Sequence, residues 1–201
     1  ADSYWGYANS IATMIVAILA PILGTIGDYK GKKMQFFKLF FILGALSTAA
    51  LSFTDQWMAI LIIYMITVIG FSSANIFYDA FLIDVTTEDR MDTVSSYGFA
   101  LGYIGGSTIP FVLSIGLVMF GSKIGISSNL AVKISFMLTA IWWIIFTIPM
   151  LRNVKQIYFI EKEKDIIKKS FLRLYSTFMN IRQYKRVFIF LIAYFFYIDG
   201  V

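Results

Sequence analysis

The sequence predicts an all-α, polytopic helical membrane protein, and three observations predict it. The chain of 201 residues is 59% hydrophobic and 14% charged, with a mean hydropathy of +0.76. A soluble domain is about 45–50% apolar and about 25% charged. The apolar residues fall into several separate runs of about 20 residues, each enough to cross about 30 Å of hydrocarbon. Finally, 15 of the 17 Lys and Arg residues fall in alternate loops: Lys30, Lys32, Lys33 and Lys38, then Arg90, then ten between Arg152 and Arg186. Bases of this kind are retained on the cytoplasmic side, while Asp and Glu contribute little to orientation. Only Lys123 and Lys133 stand outside the pattern.

The first span is expected over 4–26. Tyr4, Trp5 and Tyr7 make an aromatic belt at its start, Asn9 and Ser10 lie one turn inside, and Pro21 is expected to kink its inner half. The stretch G-T-I-G-D-Y-K-G-K-K over 24–33 then turns this run into the next. Gly24 and Gly27 thin the helix end, Asp28 sits at the membrane edge, and Gly31 permits a tight reversal before Lys32 and Lys33. The second span, 36–53, offers Gly44, Ala45, Ser47, Thr48, Ala49 and Ala50 for close helix contact. Asp55 is placed to cap the third span, 57–82. That span becomes polar in its second half, around Asn75, Tyr78 and Asp79.

An acidic loop, 85–93, leads to the fourth span at 97–120. Gly98, Gly102 and Gly106 stand at i, i+4 and i+8, a face on which a neighbouring backbone can approach closely. Pro110 is expected to bend this helix midway. The fifth span is 130–151, where Trp142 and Trp143 read as lipid-facing or packing residues. Residues 152–186 are polar and basic, with Ile166, Ile167, Phe171, Leu174, Tyr175 and Phe178 at helical spacing. They read as an amphipathic helix on the inner membrane surface, in preference to a soluble interaction helix. The final apolar run, 187–201, stops short of crossing, so the chain is expected to be an internal piece of a longer protein.

Several functions have no residues to support them. Cysteine and histidine are absent, which removes thiol chemistry, disulfides and the commonest general base and metal ligands. There is no G-x-x-x-x-G-K-[ST] loop for ATP hydrolysis. No metal cluster, cofactor site or nucleophile–base set is visible, and no enzyme activity is expected. The net charge of +5 lies beside membrane spans, and so points to topology and anionic lipid rather than to nucleic acid.

The spacing G-x-x-x-D-x-x-G-[KR]-[KR] at 24–33 resembles the loop between helices 2 and 3 of major facilitator superfamily transporters, although any polytopic hairpin could carry a basic turn. Three more stretches narrow the likeness: N-I-F-Y-D-A-F-L-I-D at 75–84, S-S-Y-G-F-A-L-G-Y-I-G-G at 95–106 and F-L-I-A-Y-F-F-Y-I-D-G-V at 190–201. With P-I-L-G-T-I-G-D at 21–28 they resemble the autophagy-related vacuolar effluxer-like branch of that superfamily. Two positions depart from the superfamily pattern. Tyr29 stands where a base is usual, and Tyr103 follows Gly102 where the antiporter signature has proline.

The resemblance implies a six-helix half-bundle: helices 2–6 over 1–151, a basic cytoplasmic linker over 152–186, and the start of helix 7 over 187–201. Helix 1 and the C-terminal half would be missing. It implies a secondary transporter of small solutes, amino acids among the candidates, working by alternating access with protons as a candidate coupling ion. A membrane sensor or scaffold with the same fold is the alternative. Gly24, Asp28, Gly31, Lys32 and Lys33 become a conformational gate loop, with Asp28 facing a helix of the other half; a helix-end acid that only terminates the span is the plainer reading. Asn75, Tyr78, Asp79 and Asp199 become candidates for the transport path, because a charge within the bilayer costs roughly 2.5–3.5 kcal/mol and normally faces a cavity or partner. Asp79 also reads as an interfacial acid. Gly98, Gly102 and Gly106 become a packing and sliding face. The short loops favour a bacterial cell membrane over a vacuolar one.

Overall fold

The computed structural model describes residues 2–161, 165–180 and 185–199, and the side chains of Asp2, Ile166, Phe178, Leu191, Phe195, Tyr197, Ile198 and Asp199 lie outside the described residues. The helices are α1 (Asp2–Gly27), α2 (Lys32–Ala50), α3 (Trp57–Ala80), the single turn α4 (Leu82–Val85), α5 (Met91–Leu101), α6 (Ile109–Phe120), α7 (Ser128–Asn153), α8 (Ile166–Asn180) and α9 (Lys185–Asp199). Among the described residues five segments are long and apolar enough to cross a membrane: Ser3–Gly27, Lys32–Phe53, Trp57–Ala80, Glu88–Ile124 and Ser128–Asn153. The all-α architecture read from composition is therefore present. The lysine-rich turn and the segment after α7 meet at one end of the bundle, where Lys30 N–H donates to the Ile160 carbonyl at 3.0 Å.

Pro21 lies inside α1, which continues through it. Thr25 Oγ1 donates to the carbonyls of Pro21 and Ile22 at 3.2 and 2.9 Å, so its hydroxyl is satisfied within the helix. α2 begins at Lys32, earlier than the expected 36, because the two lysines after Gly31 are already helical.

The core is the contact of α2 with α3. Phe37, Phe40, Phe41, Phe77 and Phe81 are buried together with Leu23, Ala45 and Ala74. The helices touch where Gly44 meets Gly70: a Cβ on Gly70 would lie 2.6 Å from the Gly44 nitrogen. Trp143 of α7 closes this contact, with its ring edge-on to Phe41 and to Phe71 at 5.6 Å each. Small residues thus let two backbones approach, and an indole covers the seam. The packing role read for Trp143 is borne out.

The fourth span is longer than the expected 97–120 and is not uniformly α-helical. Gly102–Thr108 forms a π-helical stretch between α5 and α6. Pro110 has no N–H to offer the carbonyl four residues before it. One residue earlier, the Ile109 amide bonds the Ile104 carbonyl five positions back, the π spacing. Trp142 Nε1 donates to the Gly105 carbonyl at 2.9 Å, and Thr108 Oγ1 donates to Tyr103 O at 2.9 Å. The wider turn breaks the i, i+4, i+8 line; nothing lies within 4 Å of a Cβ on Gly102 or Gly106, and Gly98 meets only the Tyr78 hydroxyl at 3.9 Å. Among the described residues no helix packs on these glycines.

At the outer end Asp55 does not cap α3; the N-cap is Gln56, without a side-chain bond. Asp55 instead accepts from Lys133 Nζ at 2.6 Å and from Asn129 Nδ2 at 3.0 Å, tying the α2–α3 turn to the start of α7. The Lys133 and Asn129 hydrogen bonds hold its carboxyl below the usual range. A depressed carboxyl stabilises above its unfolded value, about 3.9, and the contribution is lost as pH falls through the lower folded value. Hydrogen exchange of residues 54–56 should therefore stay slow to a more acidic pH than an ordinary carboxylate allows, and Asp55→Asn should remove that acid step.

Gly70→Ala should lower the thermal midpoint of the solubilised protein by the equivalent of about 1–3 kcal/mol, since the backbone of α2 must retreat. Gly116→Ala, at a site with nothing within 4 Å, should be neutral or stabilising by up to about 1 kcal/mol.

Candidate functional site: a clasp at the inner end

The α1–α2 turn works because Gly31 adopts φ 75°, a left-handed conformation that costs other residues energy. Segment 154–161, which leaves α7, runs across this turn as an extended strap. Ile160 N–H donates to Asp28 O at 2.9 Å, completing a short parallel bridge with the Lys30–Ile160 bond. Gln156 grips the turn from both sides: its Oε1 accepts from Gly31 N–H at 2.9 Å, and its Nε2 donates to Gly27 O at 3.1 Å. Lys30 pairs with Glu161 at 3.1 Å and sits 4.8 Å from the Phe159 ring centroid. Tyr29 is 1% exposed beneath this strap. Its aromatic body fills the space, which is a physical reason for a ring where the superfamily pattern has a base.

Below the strap lies a buried ion pair. Lys33 Nζ bonds Asp84 Oδ2 at 2.7 Å, with side chains 4% and 0% exposed. Lys33 also donates to Ala80 O at 3.0 Å and lies over the Phe81 ring. Asp84 Oδ1 accepts the amides of Ile157 and Tyr158 at 2.7 and 2.8 Å. Two desolvated charges are costly unless they are paired and further hydrogen-bonded. Here both are. One carboxylate thereby joins three elements: the start of α2, the end of α3 with α4, and the exit of α7.

The residues expected to form the gate loop separate in this structure. Lys33 is buried in the clasp, Lys32 is half-buried, and Asp28 is exposed. Nothing lies within 4 Å of a Cβ on Gly24. Desolvation by the surrounding protein raises the Asp28 carboxyl, against the opposing pull of Lys33 and Arg173. The path candidates on α3 lie off its packed face: Gly70, Ser73, Ala74 and Phe77 are buried, whereas Asn75 is half-buried and Tyr78 and Asp79 are exposed. Tyr78 reaches toward Gly98 of α5. Asn9, on the opposite half of α1, accepts a bond from Tyr64 Oη at 3.3 Å. Asp199 ends α9, with its side chain outside the described residues. Among the described residues no three His, Cys, Asp or Glu side chains gather as a metal would need.

Asp84 and Gln156 were not singled out from the sequence. The signal for Asp84 was an acid closing the apolar run F-L-I-D, at the same end as three lysines. Gln156 carries no local signal.

Five apolar spans held by an inner-end clasp define a multi-pass helical membrane protein. Over residues 1–201 the chain matches the family described as vacuole effluxer Atg22-like, and it belongs to that family. It is 52% identical over 203 residues to a protein of Bacillus subtilis (strain 168) described as an uncharacterized MFS-type transporter, YxiO. The match covers 99% of this chain and 47% of that protein, so the chain spans about half the length of its relative. No solved structure matches the chain. The resemblance drawn from the four sequence stretches is thus confirmed.

Removing one partner of a buried pair leaves the other uncompensated. Lys33→Met should therefore cost about 3–5 kcal/mol in thermal or denaturant unfolding. Asp84→Ala should also release the amides of Ile157 and Tyr158, seen as faster hydrogen exchange at those two residues. The double variant should be less damaging than the sum of the two.

Proposed function

We propose that this chain forms one half of a secondary active transporter that moves small solutes across a bacterial cell membrane by alternating access. One observation carries the reading. The inner end is fastened into a single body by the Lys33–Asp84 pair and the strap, while Asn75, Tyr78 and Asp79 remain off the packed face of α3. Rocking transport needs halves that move as bodies around a fixed path. A buried clasp supplies the stiffness, and polar groups on the uncovered side of an apolar helix supply a path lining. No ion pair among the described residues reaches Asp79. In this reading Asp79 and Asp199 meet a protonated solute or the coupling proton, and Asp28 meets a helix end of the second half. Amino acids are the first solutes to test.

The full-length protein in proteoliposomes should accumulate at least one member of a labelled amino-acid panel when a pH gradient is imposed. Asp79→Asn and Asp199→Asn should each reduce initial uptake about tenfold or more, and Asp199→Asn should flatten its pH dependence, as befits a group that moves a proton. An absence of flux across the panel, with the protein folded, favours the sensor or scaffold instead.

A further inference from the structure

We propose that α8 is a docking helix for an anionic lipid surface. α8 packs against α1, with Ser170 1% exposed and Leu174 half-buried. Arg173 reaches back to lie 5.9 Å from the Tyr29 ring. Tyr29 follows the last residues of α1, so α8 is held at the level where the membrane spans end. That contact uses only part of the helix's apolar arc. Ile167, Phe171, Tyr175 and Met179 follow one another at intervals of four, and are 65%, 49%, 65% and 59% exposed. Leu172 beside them is 58% exposed.

The charge on α8 identifies what covers this line. Its sequence, I-I-K-K-S-F-L-R-L-Y-S-T-F-M-N, carries three bases and no acid. Lys185 and Arg186 follow at the start of α9. An apolar stripe on a helix that carries three bases and no acid, at the depth where spans leave the membrane, matches the boundary between acyl chains and anionic headgroups. A protein partner for such a helix would need both an apolar groove and an acidic rim; a bilayer containing acidic lipid offers both at this height. The stem of Lys168 can lie along the stripe while its ammonium group reaches the phosphates.

The absence of cysteine from these 201 residues gives a direct test. In the full-length protein, with any other cysteine replaced, Phe171→Cys and Ser176→Cys are each spin-labelled. The protein is placed in discs of phosphatidylcholine alone or of phosphatidylcholine with phosphatidylglycerol. In the anionic discs the label at 171 should be open to oxygen and shielded severalfold from an aqueous nickel chelate, while the label at 176 stays open to the chelate. High salt, or Lys168→Glu, should weaken the shielding at 171. Equal water access at 171 in both discs overturns the proposal. Shielding from both oxygen and chelate also overturns it, because the stripe is then covered by protein. Shielding that is the same with and without the acidic lipid overturns the electrostatic part. Circular dichroism and elution volume of each labelled variant establish that it is folded.

Discussion

The Lys33–Asp84 pair is the constraint on which the inner end of the molecule depends. Neither residue could be buried alone; a lone charge in such a place would neutralise or draw in water. Together, with Ala80 O and the amides of Ile157 and Tyr158, they consume each other's hydrogen-bonding capacity. The order of the elements follows from this. α2 must start close to the end of α3, and the chain leaving α7 must pass over both. The strap then covers Tyr29, and α8 arrives against α1. A local charge pair therefore decides where the polar segment after the fifth span is delivered.

The α2–α3 core sets the other boundary. Hydrophobic burial does not separate a helix–helix contact from a helix–lipid contact in a bilayer, so close van der Waals approach decides the packing. Gly44 and Gly70 allow that approach, and the stacked and edge-on rings of Phe36, Phe37, Phe40, Phe41, Phe77 and Trp143 surround it. Much of the remaining apolar surface is uncovered within this chain, including Met14 and Ile18 on α1 and Phe111 and Val112 on α6. These are surfaces suited to lipid and to the remainder of a longer protein.

The spans were legible in the sequence because hydropathy is a local, additive signal. The site was less so. Lys33 looked like one topology marker among three, and only its distant partner, 51 positions on, distinguishes it. The strap has no periodicity to read, since its hydrogen bonds go to another segment. Asp55 sat where a cap belongs, but an ammonium group from α7 competes better for a carboxylate than an exposed helix amide does. Gly70 carries no local signal, because an isolated glycine in an apolar run says nothing of what approaches it.

The π-helical stretch 102–108 has a consequence for how the fourth span is numbered. A π turn holds about one residue more than an α turn, so α6 is rotated by about 100° from where an unbroken helix would put it. Side chains before 102 and after 108 that look aligned on a helical wheel stand on different sides of the cylinder. Loss of a single residue within this window would restore a continuous wheel, turn the whole outer half of the helix by more than a quarter revolution, and carry Gly105 away from the indole that holds it.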